Sequence, residues 1–597
     1  MPQLNATAVF GTIALVFALL AIDPVAYEPH HVRWIACGVF AACLVAATGG
    51  RGLDPRRDGL TLATYALICG AALSLAWSAE PVAGIASLGH AIVATLVFLC
   101  ARALTSRARA ALARIVALCV AAVLTAWSFG VGAWGGIGNP NFLSETLVLS
   151  APFVALAAGR EQRRGARYVF VAVTIVALAA TIIWLPSRAG AVAAGMIVCV
   201  FAFAFAPVAL RKGLPIAAII GALAIGLIVV DGRHLHQSFD SRMQLWTNGA
   251  AMLADRPILG IGLGAFDALY PLYQERHLRN LPPDAAPVVL LDRKSIRAGA
   301  LHNEALQFVL TLGALGVVLL VAFASMFIRQ MQRSFAPENR LEFAAAAAGV
   351  AGCAILAMTG FPLQLPHSQI LTALLLAFLV PMAPDAPPKG LASAAPILLV
   401  PLVVWFAVLA YGQHLLGRSL ATIATDPAGG MALAQRARLF AFGDPAAKAW
   451  SFVAIVRRAE LEPGFVPERA ALDAEYRASD RPRNSSLLVL SARLQYLVNF
   501  GADPADDVEA EHLADWLTAN ASRIQDFWIL AAALKLKRGD PQEAARRIEI
   551  ARGLTRQNGV EAFQALLAGM ADAASAEIAA GHRRRLPVQI QLGFDRV

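Results

Sequence analysis

The chain has 597 residues, 58% of them apolar and only 15% charged, with a mean hydropathy of +0.61. Soluble domains sit near roughly 45–50% apolar and about 25% charged, so a soluble enzyme, a disordered chain and a disulfide-rich secreted domain are excluded and an integral membrane protein remains. Of the formal net charge of +10, residues 1–412 carry 27 basic and 18 acidic groups, and residues 413–597 carry 23 and 22. A sparsely charged membrane region thus precedes a tail of ordinary soluble composition.

Apolar stretches of the length needed to cross a hydrocarbon core of about 30 Å recur from the N-terminus. They predict spans near 8–25, 33–49, 60–77, 84–101, 112–131, 143–159, 168–186, 189–207, 214–230, 303–328, 342–360, 369–383 and 394–412, thirteen in all. The first has no Lys or Arg before it and no small-residue cleavage site, and reads as a retained helix. The fold class expected is an all-α polytopic membrane protein, residues 1–412, followed by a C-terminal α-helical domain, residues 413–597.

Cation placement tests the count. One set of alternate loops holds 17 cations: Arg51, Arg56, Arg57, Arg102, Arg107, Arg109, Arg114, Arg160, Arg163, Arg164, Arg167, Arg211, Lys212, Arg329, Arg333, Arg340 and Lys389. The short loops of the other set hold only Arg33 and Arg188. By the positive-inside rule the N-terminus is cytoplasmic, and the long loop 231–302 and the tail face the opposite side, the periplasm of a bacterial inner membrane. The basic excess therefore marks topology and calls for no nucleic-acid partner. All seven cysteines lie in apolar runs and read as small lipid-facing hydrophobes, with neither a disulfide framework nor a thiolate metal site.

In the tail, Trp528 to Arg538 is helix-like, Gly539-Asp540-Pro541 is a turn with Pro at a helix start, and Gln542 to Arg552 is helical again. Ala531, Ala532, Ala544, Ala545 and Ala551 supply small contact residues, so the unit resembles a tetratricopeptide-type hairpin.

Polar groups kept at membrane helix ends are functional candidates because they are costly there, and four places stand out on the predicted periplasmic side. The first is Gly136-Ile137-Gly138-Asn139-Pro140-Asn141 with Ser144 and Glu145, a polar helix start in which Asn139 and Asn141 serve either as caps or as substrate ligands. The second is Ser187-Arg188-Ala189-Gly190, where the Arg188 fork suits a phosphate or diphosphate, although an arginine there also suits snorkelling to headgroups. The third runs from Ser241-Arg242-Met243-Gln244-Leu245-Trp246 to Pro257-Ile258-Leu259-Gly260-Ile261-Gly262-Leu263-Gly264-Ala265-Phe266. Its glycines have no strand–helix–strand unit around them, which rejects a dinucleotide site. Arg242, on an amphipathic interfacial helix, is a second anion ligand. The fourth is Leu301-His302-Asn303-Glu304-Ala305-Leu306-Gln307, in which His302 immediately precedes a long apolar helix and Asn303 and Gln307 share one helix face. Histidine suits proton removal from a hydroxyl near neutral pH.

In the order GNPN, SRAG, SRMQLW with RPILGIGLGAF, LHNEALQ and then FPLQLPHS (Phe361 to Ser368), the chain resembles the O-antigen ligase and polymerase superfamily, which includes bacterial O-linked oligosaccharyltransferases. The resemblance spans about residues 130–380. It implies a polytopic glycosyltransferase that uses an undecaprenyl-diphosphate-linked glycan as donor, with no metal, cofactor or nucleotide sugar. The acceptor it implies is a glycan, a lipid A core or a protein. By the same resemblance His302 is the base and Arg188 and Arg242 bind the diphosphate; Asn139, Asn141 and Asn303, beside them in the motifs, are candidate substrate ligands. One departure stands out. The family often carries an acidic residue about nine positions after the histidine, where this chain has Thr311 and Leu312.

Ligation to lipid A core, polymerisation of repeat units and transfer to a protein hydroxyl share these motifs. The helical tail argues against a minimal lipopolysaccharide ligase, and FPLQLP leans toward a polymerase or ligase-type enzyme. A flippase or transporter is the alternative of another class, but paired halves with matching interruptions are not seen. A membrane-anchored repeat scaffold leaves Arg188, Arg242 and His302 without a purpose.

Overall fold

A computed structural model describes residues 6–553 except 28–29, 55–57, 130–139, 186, 206–231, 280–299, 336, 383–390, 442–443, 480–486, 502 and 521–524. Regular structure among the described residues is helical throughout. The chain divides into two units, the first formed by residues 1–236, 253–264 and 300–410, the second by 237–252, 265–299 and 411–597.

The first unit holds α1 (Ala6–Leu20), α2 (His31–Thr48), α3 (Gly59–Ser74), α4 (Pro81–Arg102), α5 (Ser106–Ser128), α6 (Pro140–Arg160), α7 (Arg164–Ala179, continued by a π turn Ala180–Trp184) and α8 (Arg188–Phe205). Twelve of the thirteen predicted spans fall on described helices; the span expected at 214–230 lies outside the described residues. Nine described helices are long and apolar enough to cross a membrane, and those at 7–20, 59–74 and 366–379 are shorter. The chain is thus a multi-pass membrane protein.

Between them, α9 (Gly232–Asp255) and α10 (Phe266–Arg279) occupy the segment expected as a loop. Then come α11 (Glu304–Ser334), α12 (Arg340–Thr359), α13 (Pro366–Leu379) and α14 (Leu391–Thr422), the last running ten residues beyond the predicted span end. Inside the first unit α6 is the central staff, with 83% of its apolar window buried, while α7 has only 17% buried and faces outward. Small residues let the staff be approached closely, as membrane packing requires: Gly352 of α12 sits against Val148 of α6 and Ile197 of α8. Cys37, Cys100, Cys119 and Cys353 are buried between helices. That corrects the lipid-facing expectation for these four.

The arginine-rich loops share one end of this unit. Arg102 Nη2 meets Asp58 Oδ2 at 2.7 Å, Arg109 and Arg160 both pair with the buried Glu342, and Arg114 lies 3.5 Å from Glu161. Arg102 is fully buried, and it also donates to the Val380 carbonyl and Thr61 Oγ1. Each of these cations has a carboxylate, which a buried charge needs.

The second unit's tail comprises α15 (Pro427–Phe440), α16 (Pro445–Leu461), α17 (Arg469–Ser479), α18 (Leu487–Phe500), α19 (Pro504–Asn520), α20 (Gln525–Lys537) and α21 (Pro541–Gly553). Its helices start on proline and on aspartate caps: Asp426 Oδ1 accepts from Gly429 N and Asp444 Oδ1 from Ala446 N. Gly539, at φ 77°, makes the turn between α20 and α21 where the sequence places it.

Candidate functional site

The end of the first unit opposite the arginine-rich loops gathers the described motifs of that unit. A line of rings ties them together. His302 stands edge-on to Phe361 with centroids 4.9 Å apart, Phe361 meets Phe142 at 5.9 Å, and Phe142 meets His30 at 5.6 Å. The starts of α2, α6, α11 and α13 therefore share one wall. The start of α8 joins it, since Gly190 is pressed against Ser144: a Cβ on Gly190 would lie 1.6 Å from Ser144 Oγ. Only glycine fits there.

His302 is held on both flanks. Asn303 caps α11, its Oδ1 accepting from Leu306 N at 3.0 Å while its Nδ2 donates to the Met358 carbonyl at 3.2 Å. Gln307 reaches back one turn, and its Oε1 accepts from Leu301 N at 2.9 Å. Clamped between them, His302 takes φ 51°, the single non-glycine residue described with positive φ. Left-handed backbone costs an L residue about 1–2 kcal/mol, so the imidazole is aimed at the expense of the main chain.

Arg188 is the first residue of α8, half-buried, after Ser187, whose Oγ accepts from Gly190 N. Among the described residues no carboxylate pairs with it. At a helix N-terminus the macrodipole and a guanidinium both attract an anion. Asn141, at the exposed start of α6, belongs to the same end; Asn139 lies outside the described residues. Arg242 is half-buried on α9 in the second unit, where Asn248 donates to the Tyr270 hydroxyl at 3.2 Å.

The glycine run closes a break in α11. Gly313 leaves helical geometry at φ 60°, ψ −147°, which frees the carbonyls of Leu310 and Thr311 and the amides of Ala314 and Leu315. All four find partners in the glycine segment. Ile261 N donates to Leu310 O and Gly262 N to Thr311 O, both at 3.0 Å, while Ala314 N donates to Pro257 O and Leu315 N to Ile258 O. Every polar group freed by the break is thus satisfied, as an apolar setting demands. Gly260, Gly262 and Gly264 all have positive φ, which lets the segment pass this close. Thr311, at the position where the family often has an acid, hydrogen-bonds through Oγ1 to the Gln307 carbonyl at 2.7 Å.

Two carboxyls that were named in the motifs but given no role sit in this wall. Glu145, 6% exposed, has a buried Oε2 without a partner, and Glu304 Oε1 accepts from Leu363 N at 2.9 Å. Sequence reasoning also passed over His30, Arg33 and His367. Preceding an apolar helix does not set His302 apart, since His31 is the first residue of α2 and His367 the second of α13. Among the described residues no group of three His, Cys, Asp or Glu side chains is arranged to hold a metal ion.

Residues 163–321 match the family model described as O-antigen ligase. That segment is similar to the O-antigen ligase family. The matched segment, a little over a quarter of the chain, takes in Arg188, Arg242, the glycine run and His302. Phe142, Glu145 and Phe361 fall outside it and reach the site through the fold alone. The similarity supports glycan ligation or polymerisation at the level of the matched family. No match is found among curated proteins.

Proposed function

We propose that this protein transfers an undecaprenyl-diphosphate-linked glycan to an acceptor hydroxyl on the periplasmic face, as an O-antigen ligase or surface-polysaccharide polymerase. The observation that carries the reading is the pairing, at one end of the first unit, of His302 in a left-handed backbone with Arg188, which lacks a carboxylate partner among the described residues.

In this reaction the acceptor oxygen forms a bond to the anomeric carbon as the bond from that carbon to the phosphate oxygen breaks. The electron pair leaves with undecaprenyl diphosphate, and the hydroxyl proton passes to the His302 imidazole. Arg188 steadies the charge that grows on the diphosphate, so that a fixed donor meets charge where it develops; Arg242, a diphosphate ligand by the family resemblance, belongs to the second unit. Asn141 and Asn139 are candidate ligands of the donor. Asn303 acts by fixing His302, because both ends of its amide are engaged. The tail holds the acceptor near the membrane in the manner of a tetratricopeptide-like domain.

The test uses the full chain in lipid nanodiscs with a lipid-diphosphate glycan. His302→Ala abolishes transfer while insertion is unchanged; wild-type turnover by this variant overturns the assignment. Arg188→Ala weakens turnover, and Arg188→Lys restores only part of it because an ammonium lacks the planar fork. Identifying the product lost on deletion of the gene separates long polymer and ligated O-antigen from glycosylated protein, the second reading within the superfamily.

A further inference from the structure

Arg33 is fully buried, yet no carboxylate among the described residues pairs with it. The arginines at the other end of the unit set the contrast, since Arg102, Arg109 and Arg160 each meet an acid. Arg33 Nε donates to the Ala21 carbonyl at 2.6 Å, and Nη1 lies 2.7 Å from His367 Nδ1. Nη2 is buried and has no hydrogen-bond partner among the described residues. Asp23, in the loop before α2, turns its Oδ1 to the amides of Val25 and Ala26.

The surroundings add positive character and donors. A guanidinium offers only donors, so His367 Nδ1 must accept and the ring proton sits on Nε2. That Nε2 is buried, and the Phe142 carbonyl is the backbone group it faces. His30 lies 6.0 Å from His367 by ring centroids and has a buried, unpartnered Nδ1. Both helices that start here, α2 at His31 and α13 at Pro366, lack a side-chain cap. Two N-termini without side-chain caps and a buried cation that meets no carboxylate among the described residues make a site that an oxyanion completes.

We infer that Arg33, His367 and His30 form a second anion subsite, which takes a phosphate or carboxylate oxyanion of the glycan substrate. The wall of Phe142 and Phe361 joins it to His302. The site would hold either a phosphate of the lipid donor or the carboxylate of an acidic sugar, and rests on the glycosyl-transfer reading for its substrate class.

The experiment titrates the full chain in nanodiscs with farnesyl diphosphate and, separately, with glucuronate, using glucose as the neutral control. Arg33→Gln weakens one of the two anions tenfold or more, and which one identifies the source; glucose shows no change. Arg33→Lys, which keeps the charge and loses the fork, weakens the same anion two- to fivefold and carries the test where the glutamine variant fails to insert. His30→Gln weakens it in the same direction. Wild-type affinity for both anions in the Arg33 variants that insert overturns the subsite, as does failure of both anions to bind the wild type. Failure of the function reading is seen separately: His302→Ala then retains turnover while Arg33→Gln still loses anion binding.

Discussion

The amide of Gly262 donates to the Thr311 carbonyl at 3.0 Å, across the point where α11 breaks at Gly313. Nine residues separate His302 from Thr311, so the glycine segment fixes the helix that presents the histidine. A Cβ at Gly260 would come within 2.4 Å of the Leu310 carbonyl, and at Gly262 within 2.7 Å of the Ser78 main chain. Gly260→Ala and Gly262→Ala should each cost about 2 kcal/mol or more, from strained backbone together with the clash. Thermal unfolding in detergent reads the loss, and turnover should fall with it.

The φ of 51° at His302 gives a pair of variants that separate aim from chemistry. His302→Gly and His302→Ala both remove the imidazole and its edge contact with Phe361, so both should be inactive. Glycine alone is at ease in the left-handed region. The glycine variant should therefore be more stable than the alanine variant by about 1 kcal/mol, measured by melting in the same detergent. Equal melting temperatures would show that the backbone is not strained there.

Gly190 and Ser144 couple two motifs that lie over forty residues apart. Gly190→Ala drives a methyl into Ser144 Oγ and should reduce turnover by shifting Arg188, two residues earlier. Replacing Ser144 by glycine in the same chain removes both the hydroxyl and the Cβ that stand 1.6 and 2.9 Å away. The double variant should recover activity relative to Gly190→Ala, a positive coupling of the kind contacting residues show. Additive losses would place the effect elsewhere.

His30 supplies a pH dependence. Burial, the Arg33 charge and then His31 lower its pKa to about 3, against an ordinary value of 6.5. The unfolded chain therefore takes up a proton on this ring between about pH 6.5 and 3 while the folded chain stays neutral, and stability falls as pH drops through that window. Melting temperature should decrease from pH 7.5 to 5, and His30→Gln should flatten the slope. An oxyanion in the inferred subsite would oppose the shift, so the wild-type slope should also shrink on adding the anion that binds.

The sequence by itself determined that this is a multi-pass helical membrane protein, because burial in lipid demands long apolar runs and sorts arginines by side. It also singled out Arg188, Arg242 and His302, since cations and a histidine are conspicuous where polar groups are scarce. It read the glycine run as something other than a dinucleotide site, but not as the partner of a broken helix. That pairing lies between main chains some fifty residues apart and leaves no trace in side-chain pattern beyond the glycines. Arg33 likewise looked like one of two stray cations of the short loops. Its place, sealed from water beside His367 more than three hundred residues away and with no carboxylate partner among the described residues, comes from the packing alone. A charge acquires that meaning from what the fold packs around it, and packing across such distances is not written in local sequence.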